Sequence, residues 1–170
     1  NNAAINSALT SQPGKRHLIT TAVEHSANIK FGESLEKRGC EVTWIPVDRA
    51  GQLDVHEIHE AIREDTAVVS VMTANNETGV IQPIKEMSQS VKDVNPQTLF
   101  HSDVVQAVAT KKIDFHSLGI DSAAISGHKI GGPKGIGVMF IKTGYKIPSL
   151  LHGGKKEIER RKYKERTLAK

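Results

Sequence analysis

The sequence predicts an α/β fold, a three-layer αβα domain built around a mostly parallel β-sheet. Over the first 110 residues, short apolar runs alternate with longer segments whose apolar residues recur at helical spacing, which is typical of parallel strands joined by helices. The run 67–72 is nearly continuously apolar, as in a central strand that is covered on both faces. Near the carboxyl end, a glycine-rich loop over 126–137 separates two further apolar runs. A chain of 170 residues is long enough for one domain with a sizeable core.

The individual elements follow from local signals along the chain. Residues 1–10 have the spacing of a helix, and a Pro-Gly turn separates them from a strand at 17–22. Ser26 is predicted to cap a helix that Gly39 ends, and 42–47 is the second strand. The remaining predicted elements are, in order, a helix capped by Asp54, the strand 67–72, a helix that starts at Pro83 and ends at Asn95, a strand 98–102 that delivers Asp103, a short helix 104–110, and strands at 122–126 and 138–141.

The composition narrows the classes of function. A hydrophobic content of 38% and a charged content of 25% are typical of a globular protein. None of the apolar runs approaches the roughly 18 residues of a membrane span, and the first ten residues lack the features of a signal peptide. The single cysteine, Cys40, excludes an intramolecular disulfide and fits a reducing, cytoplasmic location. We predict that Cys40 is a small buried residue, and we predict no metal site.

The positive charge of the chain is concentrated at its carboxyl end. The net charge is +4, and residues 155–170 contain eight Lys or Arg and three Glu. We therefore divide the chain into a domain over 1–154 and a basic tail over 155–170. Interleaved glutamates and a single aromatic residue in the tail argue against nucleic-acid binding.

The glycine-rich loop carries the chemical group of most interest, the amine of Lys129. Five glycines permit positive φ angles and the close approach of other groups, and a lysine beside a histidine and a serine could act as a covalent nucleophile. The loop is not a phosphate-binding P-loop, because Lys134 is followed by Gly135 and not by Ser or Thr. A tight turn between antiparallel strands is the structural alternative for this loop.

Polar side chains follow the predicted strands at the points where they end. In open α/β sheets, ligands bind beyond the carboxyl ends of the strands, so these side chains are expected to converge on one site. The set consists of His25, Asn75, Asn76, Asp103, Gln106, Ser126, His128 and Lys129.

This set has the groups that pyridoxal 5'-phosphate requires from a protein. Lys129 could form a Schiff base with the aldehyde of the cofactor. Asp103 could keep the pyridine nitrogen protonated, and His25 could cover the ring. Two pairs of polar residues could bind the substituents of the ring: Asn76 and Gln106 at the phenolic oxygen, and Ser126 and His128 at the phosphate.

Each of these residues also has a structural alternative. Asp103 could cap the helix that follows it, and His25 could pack in the core. Asn75 and Asn76 could form a turn, and Gln106 could lie on a helix surface. The histidines without a partner pattern are interpreted as structural or exposed: His17, His56, His59 and His116.

The sequence resembles the class V aminotransferase family, and within it most closely the cysteine desulfurases and the related selenocysteine lyases. The resemblance covers about residues 1–154. The combination of a lysine loop with an Asn-Asn-Glu-Thr-Gly loop is specific. The matching stretches are Val23-Glu-His25, Ala74-Asn-Asn-Glu-Thr-Gly79, His101-Ser-Asp-Val-Val-Gln106, Ser126-Gly-His-Lys-Ile-Gly-Gly-Pro-Lys-Gly-Ile-Gly137 and His152-Gly-Gly154.

The resemblance implies the large domain of a fold type I pyridoxal-phosphate enzyme. It implies that Lys129 is the Schiff-base lysine, that Asp103 is the pyridinium partner, and that His25 stacks on the ring and moves protons. It assigns Asn76 and Gln106 to the phenolic oxygen and Ser126 and His128 to the phosphate. The implied reaction converts cysteine to alanine and leaves a persulfide for sulfur transfer or iron–sulfur cluster assembly. Implied partners are cysteine, a sulfur-acceptor or scaffold protein, and a second copy in a homodimer.

The chain departs from this family pattern in four ways. Family members are more than twice as long, and their Gly-Thr phosphate turn would precede Asn1. Their nucleophilic cysteine would follow Lys129, whereas Cys40 precedes it. Lys155 also replaces the third glycine of the family's His-Gly-Gly-Gly motif. We therefore expect weak or absent cofactor binding and no sulfide release by this chain alone. A selenocysteine lyase, or a non-catalytic α/β module that binds or assembles partners, remains an alternative at this stage.

Overall fold

The fold centres on one six-stranded sheet, which the computed structural model shows together with four α-helices among the residues that it describes. The structure describes residues 1–110 and 112–145. The strands are β1 (His17–Thr21), β2 (Glu41–Ile45), β3 (Thr66–Ser70), β4 (Leu99–Asp103), β5 (Ser122–Ser126) and β6 (Gly137–Ile141). The helices are α1 (Asn2–Thr10), α2 (Ser26–Lys37), α3 (Val55–Ala61) and α4 (Ile84–Val94).

The sheet has the order β2-β1-β3-β4-β5-β6. The first five strands are parallel to their neighbours, and β6 is antiparallel to β5. All five residues of the inner strand β3 are buried, as its apolar sequence predicts for a strand covered on both faces. The prediction of a mostly parallel sheet is therefore confirmed.

Two separate apolar clusters cover the two faces of the sheet. On one face, α1 and α2 pack through residues such as Ile5 and Leu35 against Leu18 and Val68. On the other face, α3 and α4 complete a larger cluster with the opposite side chains of the same strands, which includes Ile58, Met87, Val69 and Phe100. The three layers follow from this division, because neighbouring residues of a strand point to opposite faces.

The loop with Lys129 joins two antiparallel strands, but it is not a tight turn. Ten residues, 127–136, lie between β5 and β6, and Gly127–Ile130 form one turn of 3₁₀-helix. The alternative interpretation of this loop, a tight turn between antiparallel strands, is thus correct about the direction of the strands and wrong about the length of the loop. The extra residues make room for Lys129 at the end of the sheet.

Three local predictions are wrong. Cys40 is only partly buried, whereas the sequence predicts a buried residue. Ser26 does not cap α2; His25 is the N-cap residue, and its ring accepts a hydrogen bond from the backbone N–H of Ala27. Residues 104–110 form turns and not a helix, although Val108 N–H donates to the carbonyl of Val104. Three β-branched valines in this short segment favour helix only weakly, so one helical turn does not extend.

Two predicted features lie outside the described residues: the basic tail over 155–170 and the His152-Gly-Gly154 stretch. Across the helices that the structure describes, none has the length and apolarity needed to cross a membrane.

Candidate active site

The carboxyl ends of β4 and β5 lie side by side, at the edge of the sheet that is formed by the ends of its parallel strands. Asp103, the last residue of β4, pairs in register with Ala124 of β5. Ser126 ends β5 two residues later, and Lys129 follows within the 3₁₀ turn. The topology therefore brings the predicted carboxylate and the predicted lysine loop to the same edge, as expected for a binding site of an open α/β sheet.

Asp103 is a buried carboxylate that is held at both oxygens. Its Oδ1 accepts a hydrogen bond of 3.0 Å from the backbone N–H of Val105, and its Oδ2 accepts one of 2.6 Å from the side-chain amide of Asn1. Its side chain shapes a turn and does not cap a helix. A carboxylate oxygen accepts more than one hydrogen bond, so a ligand N–H can still bind to this group.

The backbone of the lysine loop depends on its glycines. The N–H of Gly127 donates to the carbonyl of Ile136 at 2.8 Å, and a Cβ atom on Gly127 would lie 2.9 Å from the same oxygen. Gly131 ends the 3₁₀ turn with a φ of 80°, a conformation that glycine adopts without strain. These contacts hold the turn that presents Lys129, whose side chain is exposed.

Ser126 and His128 flank this turn and contact each other. The distance between Ser126 Oγ and His128 Nδ1 is 2.8 Å, and either atom can be the donor. Ser126 is half-buried and His128 is exposed, so the pair presents polar groups to a ligand above the strand end.

Asn75 and Asn76 differ in their roles, although both lie in the loop after β3. Asn75 Oδ1 accepts hydrogen bonds from the backbone of Glu77 and Thr78, and its Nδ2 donates to the carbonyl of Val23 at 3.0 Å. Asn75 therefore shapes the loop and ties it to the segment after β1. Asn76 is exposed and shares with Gln106 the wall of a groove of about 580 Å³.

His25 lies at the amino terminus of α2 and is exposed, so it does not pack in the core. Its Nδ1 accepts the N–H of Ala27 at 3.2 Å, which leaves the ring proton on Nε2 when the imidazole is neutral. The capping contact fixes the position of the ring beside the end of β1.

Sequence reasoning missed Glu24, a buried carboxyl next to His25. Its Oε1 accepts a hydrogen bond of 2.7 Å from the backbone N–H of Met72, and its Oε2 accepts one of 2.9 Å from Asn28. Burial raises the pKa of Glu24 to about 7, against the opposing effect of these hydrogen bonds. The available signal was an acidic residue placed directly after a buried strand, with an amide four residues later on the helix.

His101 is a second residue that sequence reasoning did not assign. It is buried on β4 two residues before Asp103, and burial lowers the pKa of its imidazole to about 3. It contacts Ser122 of β5 and the side chain of Asn1. The period of two along a strand indicates that His101 and Asp103 share a face, which the sequence alone could have shown.

The other histidines agree with the sequence interpretation. His17 is buried, and its ring nitrogens contact the hydroxyls of Thr66 and Thr43 on the neighbouring strands. His56, His59 and His116 are exposed. Within residues 1–110 and 112–145, no group of three or more His, Cys, Asp or Glu side chains is arranged to hold a metal ion.

The comparison with protein families gives a match over the whole chain. The family model for class-V aminotransferases matches residues 1–170. The chain belongs to the class-V aminotransferase family. It is 48% identical over 161 residues to cysteine desulfurase 2 of Trichormus variabilis, covering 95% of this chain and 40% of that protein. It is 47% identical over 146 residues to cysteine desulfurase IscS of Methanosarcina thermophila, covering 86% of this chain and 36% of that protein. The chain thus spans about two fifths of the length of these relatives.

Solved structures show the same architecture. A NifS-like protein superimposes with a TM-score of 0.87 at 38% identity, over 92% of this chain and 43% of that one. DndA from Streptomyces lividans superimposes with a TM-score of 0.79 at 35% identity, over 92% and 45% of the two chains. The described domain therefore has the fold of the large domain of fold type I pyridoxal-phosphate enzymes, as the resemblance implied.

Proposed function

We propose that this chain provides the cofactor-binding core of a pyridoxal-phosphate-dependent cysteine desulfurase. The observation that carries the proposal is the position of Asp103 and the Lys129 loop at the ends of two adjacent parallel strands. Relatives that are 47–48% identical and named cysteine desulfurases support this assignment over a selenocysteine lyase.

The donor set at this edge suits pyridoxal phosphate. When bound, the cofactor provides an electron sink for negative charge at the substrate carbon. Asp103 is desolvated and already oriented by two hydrogen bonds, so its carboxylate can hold a proton on the ring nitrogen without reorganisation. Lys129 would provide the amine for the aldehyde group of the cofactor.

The remaining residues of the set would orient the ring and limit its movement. We assign His25 to the face of the ring. A role in moving protons at the substrate carbon would require its Nδ1 to release the capping hydrogen bond from Ala27. The exposed Asn76 and the half-buried Gln106 line a shared groove, and their amides would donate to the phenolic oxygen. Ser126 and His128, which already contact each other, would bind the phosphate.

Cys40 is not the sulfur nucleophile in this proposal. It directly precedes β2, whose first residue Glu41 pairs with His17 at the start of β1, so Cys40 lies at the amino-terminal edge of the sheet. The lysine loop lies at the opposite edge, and a strand of five residues spans about 16 Å. A thiol at that distance cannot attack a sulfur atom held near Lys129. The acceptor thiol of the reaction would come from outside these 170 residues.

The proposal includes the partners that this chemistry requires. Cysteine is the substrate, alanine is the product, and a sulfur-acceptor or scaffold protein takes the persulfide sulfur into transfer or iron–sulfur cluster assembly. We also propose a homodimer and a cytoplasmic location, where cysteine is reduced.

Borohydride trapping tests the assignment of Lys129, and it also detects weak binding. The full chain is incubated with pyridoxal phosphate and reduced, and the labelled lysine is identified by peptide mass spectrometry. We expect the label on Lys129, its loss in Lys129→Ala, and its retention in Lys134→Ala, a lysine of the same loop. Label on Lys134, or label spread evenly over exposed lysines, would contradict the proposal.

Sulfide release tests the position of the nucleophile. We expect Cys40→Ser to leave the trapping of cofactor at Lys129 unchanged, because Cys40 lies at the other edge of the sheet. Sulfide release from cysteine by the purified chain that is lost in Cys40→Ser would show that the nucleophile is Cys40.

A further inference from the structure

The side chain of Asn1 bridges two buried residues of β4. Its Nδ2 donates to Asp103 Oδ2 at 2.6 Å, and its Oδ1 lies 3.0 Å from His101 Nε2. The other ring nitrogen of His101, Nδ1, lies 2.9 Å from Ser122 Oγ. Four side chains, one from the N-cap residue of α1 and three from β4 and β5, thus form one continuous line of hydrogen bonds that ends at the Asp103 carboxylate.

The chemistry of the groups sets the direction of every bond in this line. A carboxylate only accepts, so the NH₂ end of Asn1 faces Asp103 and its carbonyl end faces His101. A carbonyl also only accepts, so Nε2 of His101 carries the ring proton. Nδ1 is then an acceptor in the neutral ring, and the hydroxyl of Ser122 donates to it. All three donors point toward Asp103.

Two titratable groups outside this line interact electrostatically with Asp103, namely the carboxyl of Glu24 and the amino group of Asn1. His101 is buried, and burial favours its uncharged form. Asp103 is the terminal acceptor of the line, and hydrogen bonds that point the same way polarise one another in a low-dielectric interior.

We propose that Asn1, which His101 and Ser122 hold in place, is a positioning residue that orients the side chain of Asp103 toward the ring nitrogen of the cofactor. This inference rests on the proposed function, because it takes Asp103 as the partner of that nitrogen. Sequence reasoning placed Asn1 only in a helix and gave it no role. The hydrogen bonds of Asn1 to Asp103 and His101, which lie 102 and 100 residues away in the sequence, assign a role to Asn1.

The first test measures cofactor binding by the full chain. Asn1→Ala removes the donor to Asp103. Asn2→Ala is the matched control, because Asn2 is the exposed first residue of α1 and directly follows Asn1. We expect Asn1→Ala to weaken pyridoxal-phosphate binding by about tenfold, the equivalent of one lost charge-assisted hydrogen bond, and Ser122→Ala by about two- to threefold. We expect Asn2→Ala to bind as the wild type does.

The second test separates positioning from a purely structural role. Asn1→Asp places a carboxylate against Asp103, which repels it when ionised and donates to it when protonated. Relative to the wild type, we expect the affinity of Asn1→Asp to recover as the pH falls from 7 to 5, whereas that of Asn1→Ala stays low. In the cofactor-free protein, ¹⁵N NMR should show the Nε2–H tautomer of His101, and Asn1→Ala should lose that single tautomer.

The outcomes distinguish the two proposals. Equal affinity of Asn1→Ala and Asn2→Ala, with borohydride label still on Lys129, would overturn the role of Asn1 alone. Wild-type protein without label on Lys129 would overturn the proposed function, and with it the role of Asn1. An Nδ1–H tautomer of His101 in the wild type would contradict the direction of the hydrogen bonds whatever the cofactor does.

Discussion

Glu24 and Asp103 are two buried carboxyl groups near the same edge of the sheet, and their surroundings differ. Glu24 is enclosed between β1, α2 and the segment after β3, where burial outweighs three hydrogen bonds and raises its pKa to about 7. Its neighbour Asn28 has a buried side-chain oxygen without a hydrogen-bond partner among the described residues. A proton on Glu24 could satisfy that oxygen, since an amide can turn by 180° with little change of shape.

Glu24 should make stability depend on pH. Its pKa is about 7 in the folded protein and 4.5 when unperturbed, so folding favours the protonated acid. This contribution is complete below pH 4.5 and is lost as the pH rises to 7, with a total on the order of 3 kcal/mol. In Glu24→Gln, whose NH₂ group can donate to Asn28, we expect this loss to be absent.

Urea unfolding at pH 5 and pH 8 measures the effect. The wild type should lose more stability over this interval than Glu24→Gln does, whereas Glu33→Gln, an exposed glutamate on α2, should follow the wild type. Identical pH dependence in Glu24→Gln and the wild type would show that Glu24 is already ionised at pH 5.

At the scale of elements, α4 is fixed to the sheet by a partly buried ion pair. Lys92 of α4 donates from Nζ to Asp121 Oδ2 at 2.7 Å and to the carbonyl of Thr98 at 2.6 Å. Asp121 also accepts the backbone N–H of Phe100. These contacts lie at the start of β4 and β5, the end of the sheet opposite to the candidate site, so they hold the two strands that carry Asp103 and the lysine loop.

Breaking this pair should destabilise the domain. Lys92→Met leaves Asp121, which is buried, with one donor, and we expect a loss of about 2 to 3 kcal/mol in the free energy of unfolding. The value lies below that of a fully buried pair because the Lys92 side chain is 27% exposed. Lys85→Met, an exposed lysine of the same helix, is the control for loss of charge. Equal midpoints of denaturant unfolding for the two variants would contradict this prediction.

At the scale of the whole molecule, several exposed apolar side chains are concentrated in one region of the surface. Ile130, Ile136 and Val138 are each more than half exposed, and they surround the lysine loop and the start of β6. In the described sheet, β6 is an edge strand. Exposed apolar side chains on a sheet edge favour association with another chain. This patch therefore lies beside the candidate site, where a partner could also exclude water from the cofactor.

We expect this region to bind a second copy of the chain. Light scattering across a range of protein concentrations should give the mass of a dimer for the wild type. Val138→Lys should shift the equilibrium toward monomer, because a charged side chain on an edge strand opposes pairing. Val94→Lys tests a comparably exposed valine at the far end of α4 and should leave the dimer intact. A monomeric mass at high concentration for the wild type would contradict the prediction.

The sequence by itself determined the fold class and the elements that local signals specify. The apolar run of β3, the cap at Asp54 and the start of α4 after Pro83 all agree with the structure, because each depends on residues a few positions apart. The position of Asp103 and of the Lys129 loop was also predictable, since carboxyl ends of parallel strands meet at one edge. Predicting that part of the site requires only the order of the strands in the sheet.

Only the tertiary structure decided which polar groups are buried and what they contact. The bond between Asn1 and Asp103 joins residues 102 positions apart, and the burial of Glu24 depends on the backbone of Met72. Local preference also gave the wrong cap for α2, where His25 takes the place of Ser26. Hydrogen-bond partners and desolvation depend on how helices pack on the sheet, and no short-range pattern records that packing.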